Sequence, residues 1–324
     1  MLSRTQQLSI SLMTSRLLDI GHHKMNNAYS LHENEAVMQH VIAKSDGVLC
    51  QLELPEPDQV LMPGVLWGRH EDLLSPAYWV AAGRVAGEVP KDGFRLGRTL
   101  AEELAACLLG GHGLPAEVGL AAYYRVRGWL QKTNDELISE AHLYGLLSEP
   151  LFVGGRPIRY RFARQRSSYL ARSLEIISNF DENAYGDVAF RDYLCALPGI
   201  GLKTASWIVR NRRGSDAVAI LDVHVIRACI IMGIFEGNAD VSRHYRQLEK
   251  IFLEFCLRSR VRASVMDAVM WGQMRAISPQ LLKIFIDQKC HFKDALSPAS
   301  GEVKGCPETI AIEMTDRQVA HWVG

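Results

Sequence analysis

One lysine and one aspartate carry the chemistry that can be read from this chain. Lys203 stands in the string Leu197-Pro198-Gly199-Ile200-Gly201-Leu202-Lys203-Thr204-Ala205, and Asp222 stands in Leu221-Asp222-Val223-His224. The lysine comes just after a Gly-x-Gly turn, and the aspartate closes an apolar run that begins at Ala217. An amine and a carboxylate that meet in a cleft can break a glycosidic bond. The neutral amine attacks the sugar carbon and forms a Schiff base. The ionised carboxylate stabilises positive charge on the sugar as the bond loosens. A helix N-terminus and partial burial favour the neutral amine, while a nearby carboxylate opposes it.

Helices have to hold these two groups. The apolar pattern predicts one helix over 190–197 and another over 202–213, with Ala205, Ile208 and Val209 on its buried side. Gly199 and Gly201 are predicted to take backbone angles closed to other residues and to let another chain approach closely. The amides of residues 199–203 lack intrahelical acceptors and form a ready anion site. Pro-Gly alone would fit an ordinary helical hairpin, but the whole string predicts a phosphate clamp. Asp222 precedes a helical run over 223–232 and is a natural N-cap.

The hairpin string resembles the helix-hairpin-helix (HhH-GPD) DNA glycosylase superfamily of base excision repair. Leu-Asp-Val-His is most similar to its 8-oxoguanine DNA glycosylase/AP lyase branch. The resemblance covers about residues 95–280. It implies a mainly α, two-lobed helix-hairpin-helix glycosylase fold, with DNA bent across the cleft and the target base flipped out. It also implies that Lys203 is the nucleophile of a bifunctional enzyme that nicks the strand, that Asp222 is the catalytic carboxylate, and that His224 contacts phosphate. His112 falls where the family fills the gap left by the flipped base. No cofactor is required on this reading, although a monovalent cation at the hairpin carbonyls fits the family.

Trp207 lies four residues after Lys203, so the two share a helix face. Asp267 and Trp271 share a face in the same way on a helix predicted over 264–271. In the resembling family the matching positions stack on the flipped base and hydrogen-bond its edge. The plain alternative is two core tryptophans and a surface aspartate. The branch has an amide where this chain has Asp267, and a small residue where it has Trp207. A carboxylate acceptor suits a guanine-like edge and also a cytosine-like amine. The leading expected target is 8-oxoguanine. A second expectation is the same fold aimed at another modified base, including a foreign hypermodified one. A third is a hairpin protein that binds DNA without catalysis; the lysine–aspartate pair argues against it.

Further DNA contacts are expected elsewhere. Between residues 151 and 174 there are six arginines and no acid. Arg161, Arg164 and Arg166 in this stripe are expected to bind phosphate, with a solvated helix face as the alternative. Arg210, Arg212 and Arg213 extend the basic surface and are expected chiefly to serve a helix C-terminus. Thr99 to Glu102 reads as a capping box whose helix runs to Leu109 and closes on Gly110-Gly111, and Pro115 opens the next helix.

The 324 residues carry 36 basic and 36 acidic side chains, so the arginine stripe is a local feature of a neutral protein. A hydrophobic content of 48% is ample for a folded core. The seven cysteines form no Cys-x-x-Cys, and only Cys290 and Cys306 lie near the C-terminus, so no iron–sulfur cluster is expected. No apolar run reaches membrane-spanning length. The expected organisation is a loosely ordered extension over 1–45, short strands over 46–94, the helical glycosylase domain over 95–280 and a C-terminal extension over 281–324. The expected partner is double-stranded DNA containing a modified base, met by an intracellular monomer with no membrane contact.

Overall fold

The computed structural model describes residues 38–45, 48–87, 94–111, 113–132, 139–278 and 280–285. The expectations for 1–37, His112, Cys290, Cys306 and the C-terminal tail lie outside the described residues. The strands are β1 (Gln39–Ser45), β2 (Val48–Leu54), β3 (Val60–Met62), β4 (Val65–Leu66), β5 (Leu151–Val153) and β6 (Arg156–Ile158). The helices are α1 (Pro76–Ala86), α2 (Leu100–Leu109), α3 (Ala116–Leu130), α4 (Glu140–Ser148), α5 (Ala163–Ile177), α6 (Asp187–Leu194), α7 (Leu202–Arg213), α8 (Val223–Met232), α9 (Val241–Ser259) and α10 (Ala263–Met274). The architecture is mainly α with small strands near the N-terminus. The chain divides into two compact units, Met1–Val89 with His224–Ser297, and Pro90–Val223 with Pro298–Gly324.

In the first unit β1 pairs antiparallel with β2, and β3 with β4. The strand-like pieces at 48–52 and 59–62 form β2 and β3. β1 is a correction, because its residues fall in the stretch expected to be loosely ordered. Helix α1 starts from Ser75, whose Oγ accepts from the Tyr78 amide at 3.0 Å, with Pro76 in the first turn. Trp79, Phe252, Phe255, Met266 and Met270 are fully buried and form the core of this unit. The Tyr78 hydroxyl donates to Gln273 Oε1 at 2.6 Å, tying α1 to α10.

In the second unit Leu104 and Leu108 of α2, Leu170 of α5, Phe190 of α6 and Ile208 of α7 meet in one apolar core. Helix α2 runs through the middle of this core and is buried on every side from Glu102 to Leu109. Thr99 caps α2, its Oγ1 accepting from the Glu102 amide at 3.2 Å. Glu102 does not complete the expected box; its Oε2 accepts from the Arg98 amide at 2.8 Å. Helix α6 spans 187–194 instead of 190–197. It stops early because Pro198 disfavours helical angles at Leu197, and the chain turns through 195–197. The arginine stripe is likewise not one helix face: β5 and β6 form a hairpin through Gly154-Gly155, and α5 follows.

Candidate active site

The turn between α6 and α7 is pinned by Leu197 and Ile200, which are both buried. The Ile200 amide donates to the Leu197 carbonyl at 3.2 Å. Gly199 has φ +77°, and a Cβ there would overlap the Tyr169 ring. This position admits only glycine on both counts. Gly201 corrects the expectation: its φ is −99°, open to any residue, and a Cβ there would meet nothing within 4 Å. It leaves bare backbone on the surface at the head of α7. Ala205, Ile208 and Val209 are fully buried, as their spacing predicts. Lys203 lies half-buried in the first turn of α7, and Trp207 lies half-buried one turn later, against the core.

The far end of α7 is locked by its arginines. Arg212 pairs with the Glu182 carboxylate, its Nε donating at 2.6 Å. Arg213 donates to Asp187 Oδ1 at 2.8 Å and stacks over Phe190. Arg210 covers the Phe94 ring, 4.1 Å from its centroid. Arg210 and Arg212 are buried, so they do not extend the basic surface. Burial alone would raise the pKa of Asp187, but hydrogen bonds from Ser215 and Arg213 and the Arg213 charge hold it below the usual range.

After α7 the buried residues Val218, Ala219 and Leu221 lead to Asp222, half-buried at the position just before α8. That position is the expected N-cap. His224 is the second residue of α8 and also half-buried. Lys203, Trp207 and Asp222 fall in one compact unit; His224, Asp267 and Trp271 fall in the other.

On α10 the plain expectation of a core tryptophan and a surface aspartate is reversed. Asp267 is 2% exposed and Trp271 is 38% exposed. The Arg275 guanidinium lies 4.5 Å from the Trp271 ring centroid.

Arg161 and Arg164 are exposed at the head of α5. They border a concavity of about 500 Å³ with Glu140, Phe162, Gln165 and Ser168. Arg166 turns inward, half-buried, with its guanidinium 6.0 Å from the Phe162 ring centroid. Among the described residues no group of three His, Cys, Asp or Glu side chains is placed to hold a metal. Among them, too, no helix is long and apolar enough to cross a membrane.

Residues 99–261 match the family model described as 8-oxoguanine DNA glycosylase. The chain is 28% identical over 178 residues to the 8-oxoguanine DNA glycosylase/AP lyase of Picrophilus torridus, covering 53% of this chain and 78% of that protein. The crystal structure of the Thermotoga maritima 8-oxoguanine DNA glycosylase is 23% identical, with 54% of this chain and 78% of that one covered and a TM-score of 0.43. The Methanocaldococcus jannaschii 8-oxoguanine glycosylase/lyase, solved with a 15mer DNA containing 8-oxoguanine, is 22% identical, with 54% and 79% covered and a TM-score of 0.41. The helix-hairpin-helix, with a lysine opening its second helix and an aspartate heading the next, is that of a DNA glycosylase/AP lyase. The matched span takes in the whole hairpin and Asp222, and the chain belongs to the 8-oxoguanine DNA glycosylase family of the HhH-GPD superfamily.

Proposed function

We propose that this enzyme removes 8-oxoguanine from duplex DNA, using Lys203 as a Schiff-base nucleophile, and then nicks the strand. The supporting observation is Lys203 itself, half-buried in the first turn of α7 behind a turn that only a glycine at 199 allows. The bare backbone at Gly201 and the free amides of the α7 N-terminus take a phosphate of the target strand, and His224 contacts phosphate in its own right. Arg161 and Arg164 serve phosphates further along the duplex, whereas Arg166, turned inward against Phe162, is left out of that role. His112 fills the gap opened by the flipped base. A monovalent cation at the hairpin carbonyls is compatible with this reading, which calls for no other cofactor.

The Lys203 amine lone pair attacks C1′, and the C1′–N9 bond breaks with its electrons leaving on the base, which takes up a proton. Asp222 stabilises the cationic sugar in the transition state. Ring opening gives the protonated imine. Loss of a 2′ proton then expels the 3′ phosphate by β-elimination, and water hydrolyses the imine to restore the lysine. Asp267 accepts hydrogen bonds from the base edge, and Trp271, one turn on along α10, supplies a stacking face.

Borohydride trapping tests this on duplexes carrying 8-oxoguanine, an abasic site or undamaged bases, with wild type and Lys203→Gln. The expected result is a covalent adduct with the 8-oxoguanine duplex that the substitution abolishes. An adduct with the abasic duplex alone would keep the lyase step and move the substrate to another modified base. That second reading is favoured by the buried Asp267 carboxylate, which also suits a cytosine-like amine. No adduct with any duplex would end the Schiff-base mechanism.

A further inference from the structure

Between α4 and α5 the chain makes a short hairpin that the catalytic reading does not use. Leu151 pairs with Ile158, Phe152 with Pro157, and Val153 with Arg156. Gly154 and Gly155 close it with φ of +57° and +78°, the two positive values that a tight two-residue hairpin turn needs. The side-chain alternation of strands then sorts its residues. Leu151 points inward and is buried. Phe152 and Pro157 share the outward face, and Phe152 is 72% exposed; Arg156 stands on the other face at the exposed tip of the hairpin, and Arg159 follows β6.

A single exposed apolar residue is ordinary. This one sits on a held platform. Arg125 donates to the carbonyls of Leu146, Glu149 and Pro150 at 3.0, 2.8 and 2.7 Å and clamps the chain entering β5. At the exit, the Tyr160 hydroxyl donates to the Leu109 carbonyl at 2.8 Å. That carbonyl ends α2, directly before the loop through Gly110, Gly111 and Gly113. Phe162 lies against the same loop, since a Cβ on Gly113 would come within 3.3 Å of its ring. The hairpin is therefore bolted to the loop that the proposed function turns toward the DNA. Around Phe152 basic side chains predominate, with the exposed Glu149 preceding β5. Arg156, Arg159, Arg161 and Arg164 are exposed, and no acid occurs between residues 151 and 174.

We propose that the β5–β6 hairpin is a second DNA-contacting element: Phe152, backed by Pro157, presses into a groove of the duplex flanking the target base, while Arg156 and Arg159 hold the adjacent phosphates. An apolar wedge framed by arginines is the arrangement that grips a duplex through its sugars and base edges without reading sequence. The inference rests on the reading that duplex DNA is the substrate.

The test measures affinity for a duplex carrying a tetrahydrofuran abasic analogue, by fluorescence anisotropy at several salt concentrations. Wild type is compared with Phe152→Ser, with the double variant Arg156→Ala/Arg159→Ala, and with Leu257→Ser as an exposed apolar control on α9. Phe152→Ser is expected to weaken binding about five- to tenfold with an unchanged melting temperature. The double arginine variant is expected to lower the slope of log affinity against log salt by about two. Leu257→Ser is expected to bind as wild type does. A photocrosslinking benzoylphenylalanine at position 152 should attach to the flanking duplex, a readout independent of how the serine variant folds. Wild-type affinity and salt slope in the variants, with no crosslink, would overturn the hairpin contact and leave the proposed function standing. Failure of the wild type to bind any duplex would overturn both.

Discussion

Glu103 and Asn211 meet inside the second unit, Asn211 Nδ2 donating to Glu103 Oε1 at 2.8 Å, with both side chains almost fully buried. The other carboxylate oxygen accepts from the amides of Leu96 and Gly97 at 2.8 and 2.9 Å. Asn211 Oδ1 in turn accepts from Arg210 at 3.1 Å. One carboxylate thus joins α2, the segment leading into it, and α7. Since α7 carries Lys203 in its first turn, this contact sets how firmly the lysine's helix is seated.

Removing that carboxylate should be expensive, because the Gly97 and Asn211 donors are buried away from water. Glu103→Leu strands two backbone amides and the Asn211 amide, and should cost about 3–4 kcal/mol in urea unfolding. Asn211→Leu should cost less, because it leaves the two backbone bonds in place. A double-mutant cycle should return a coupling of about 1–2 kcal/mol between the two sites. A coupling near zero would mean that the bond does not seat α7.

The two hairpin glycines should behave differently. Gly199→Ala forces a side chain into a left-handed backbone and against Tyr169, and should lose about 2–4 kcal/mol of stability. Gly201→Ala meets no neighbour and no backbone strain, so its cost should stay within about 1 kcal/mol, the difference between glycine and alanine at an N-cap. Its effect should fall on DNA affinity, where the added methyl separates the backbone from phosphate. Thermal melts and anisotropy on the two variants check this; equal losses of stability would contradict the backbone angles.

The hairpin, the run into Asp222 and helices α2, α7 and α10 were legible in the chain because each follows from local rules: a cap, a glycine, a three-to-four apolar spacing. The end of α6 was misread because apolar periodicity ran on to Leu197 while the proline after it stopped the helix. The β5–β6 hairpin lies inside the arginine stripe, and charge carries no strand signal, although Gly154-Gly155 is a turn signal. The inward turn of Arg210 and Arg212 could not be read at all. It depends on Phe94 and Glu182, which lie far away in sequence and give no local pattern. Asp267 was the same kind of case: a charged residue's burial is set by what folds over it.

Acid should weaken the fold partly through Asp187. Its folded pKa is depressed, so its contribution is complete above the ordinary aspartate value of 3.8 and is lost as pH falls through the folded value. Asp187→Asn should therefore be less stable than wild type at neutral pH, and the gap should narrow as pH drops below that value. Urea midpoints for both proteins across the acid range supply the check, with a pH-independent gap as the contrary result.

The exposed Trp271 and buried Asp267 make a separable prediction about base recognition. Trp271 is 38% exposed, so Trp271→Ala should cost about 1–3 kcal/mol, less than loss of a fully buried tryptophan. If its face stacks on the extrahelical base, single-turnover base release should slow about 10- to 100-fold, the range of one lost stacking contact. Nicking of a preformed abasic site has no base to stack and should stay within about twofold of wild type. Asp267 adds a test by conservative rescue. Asp267→Asn keeps an acceptor and should retain base release within about tenfold, whereas Asp267→Leu removes it and should abolish release while sparing the lyase step. Parallel loss of both steps in Trp271→Ala would move that tryptophan out of the base pocket and into the DNA-binding surface.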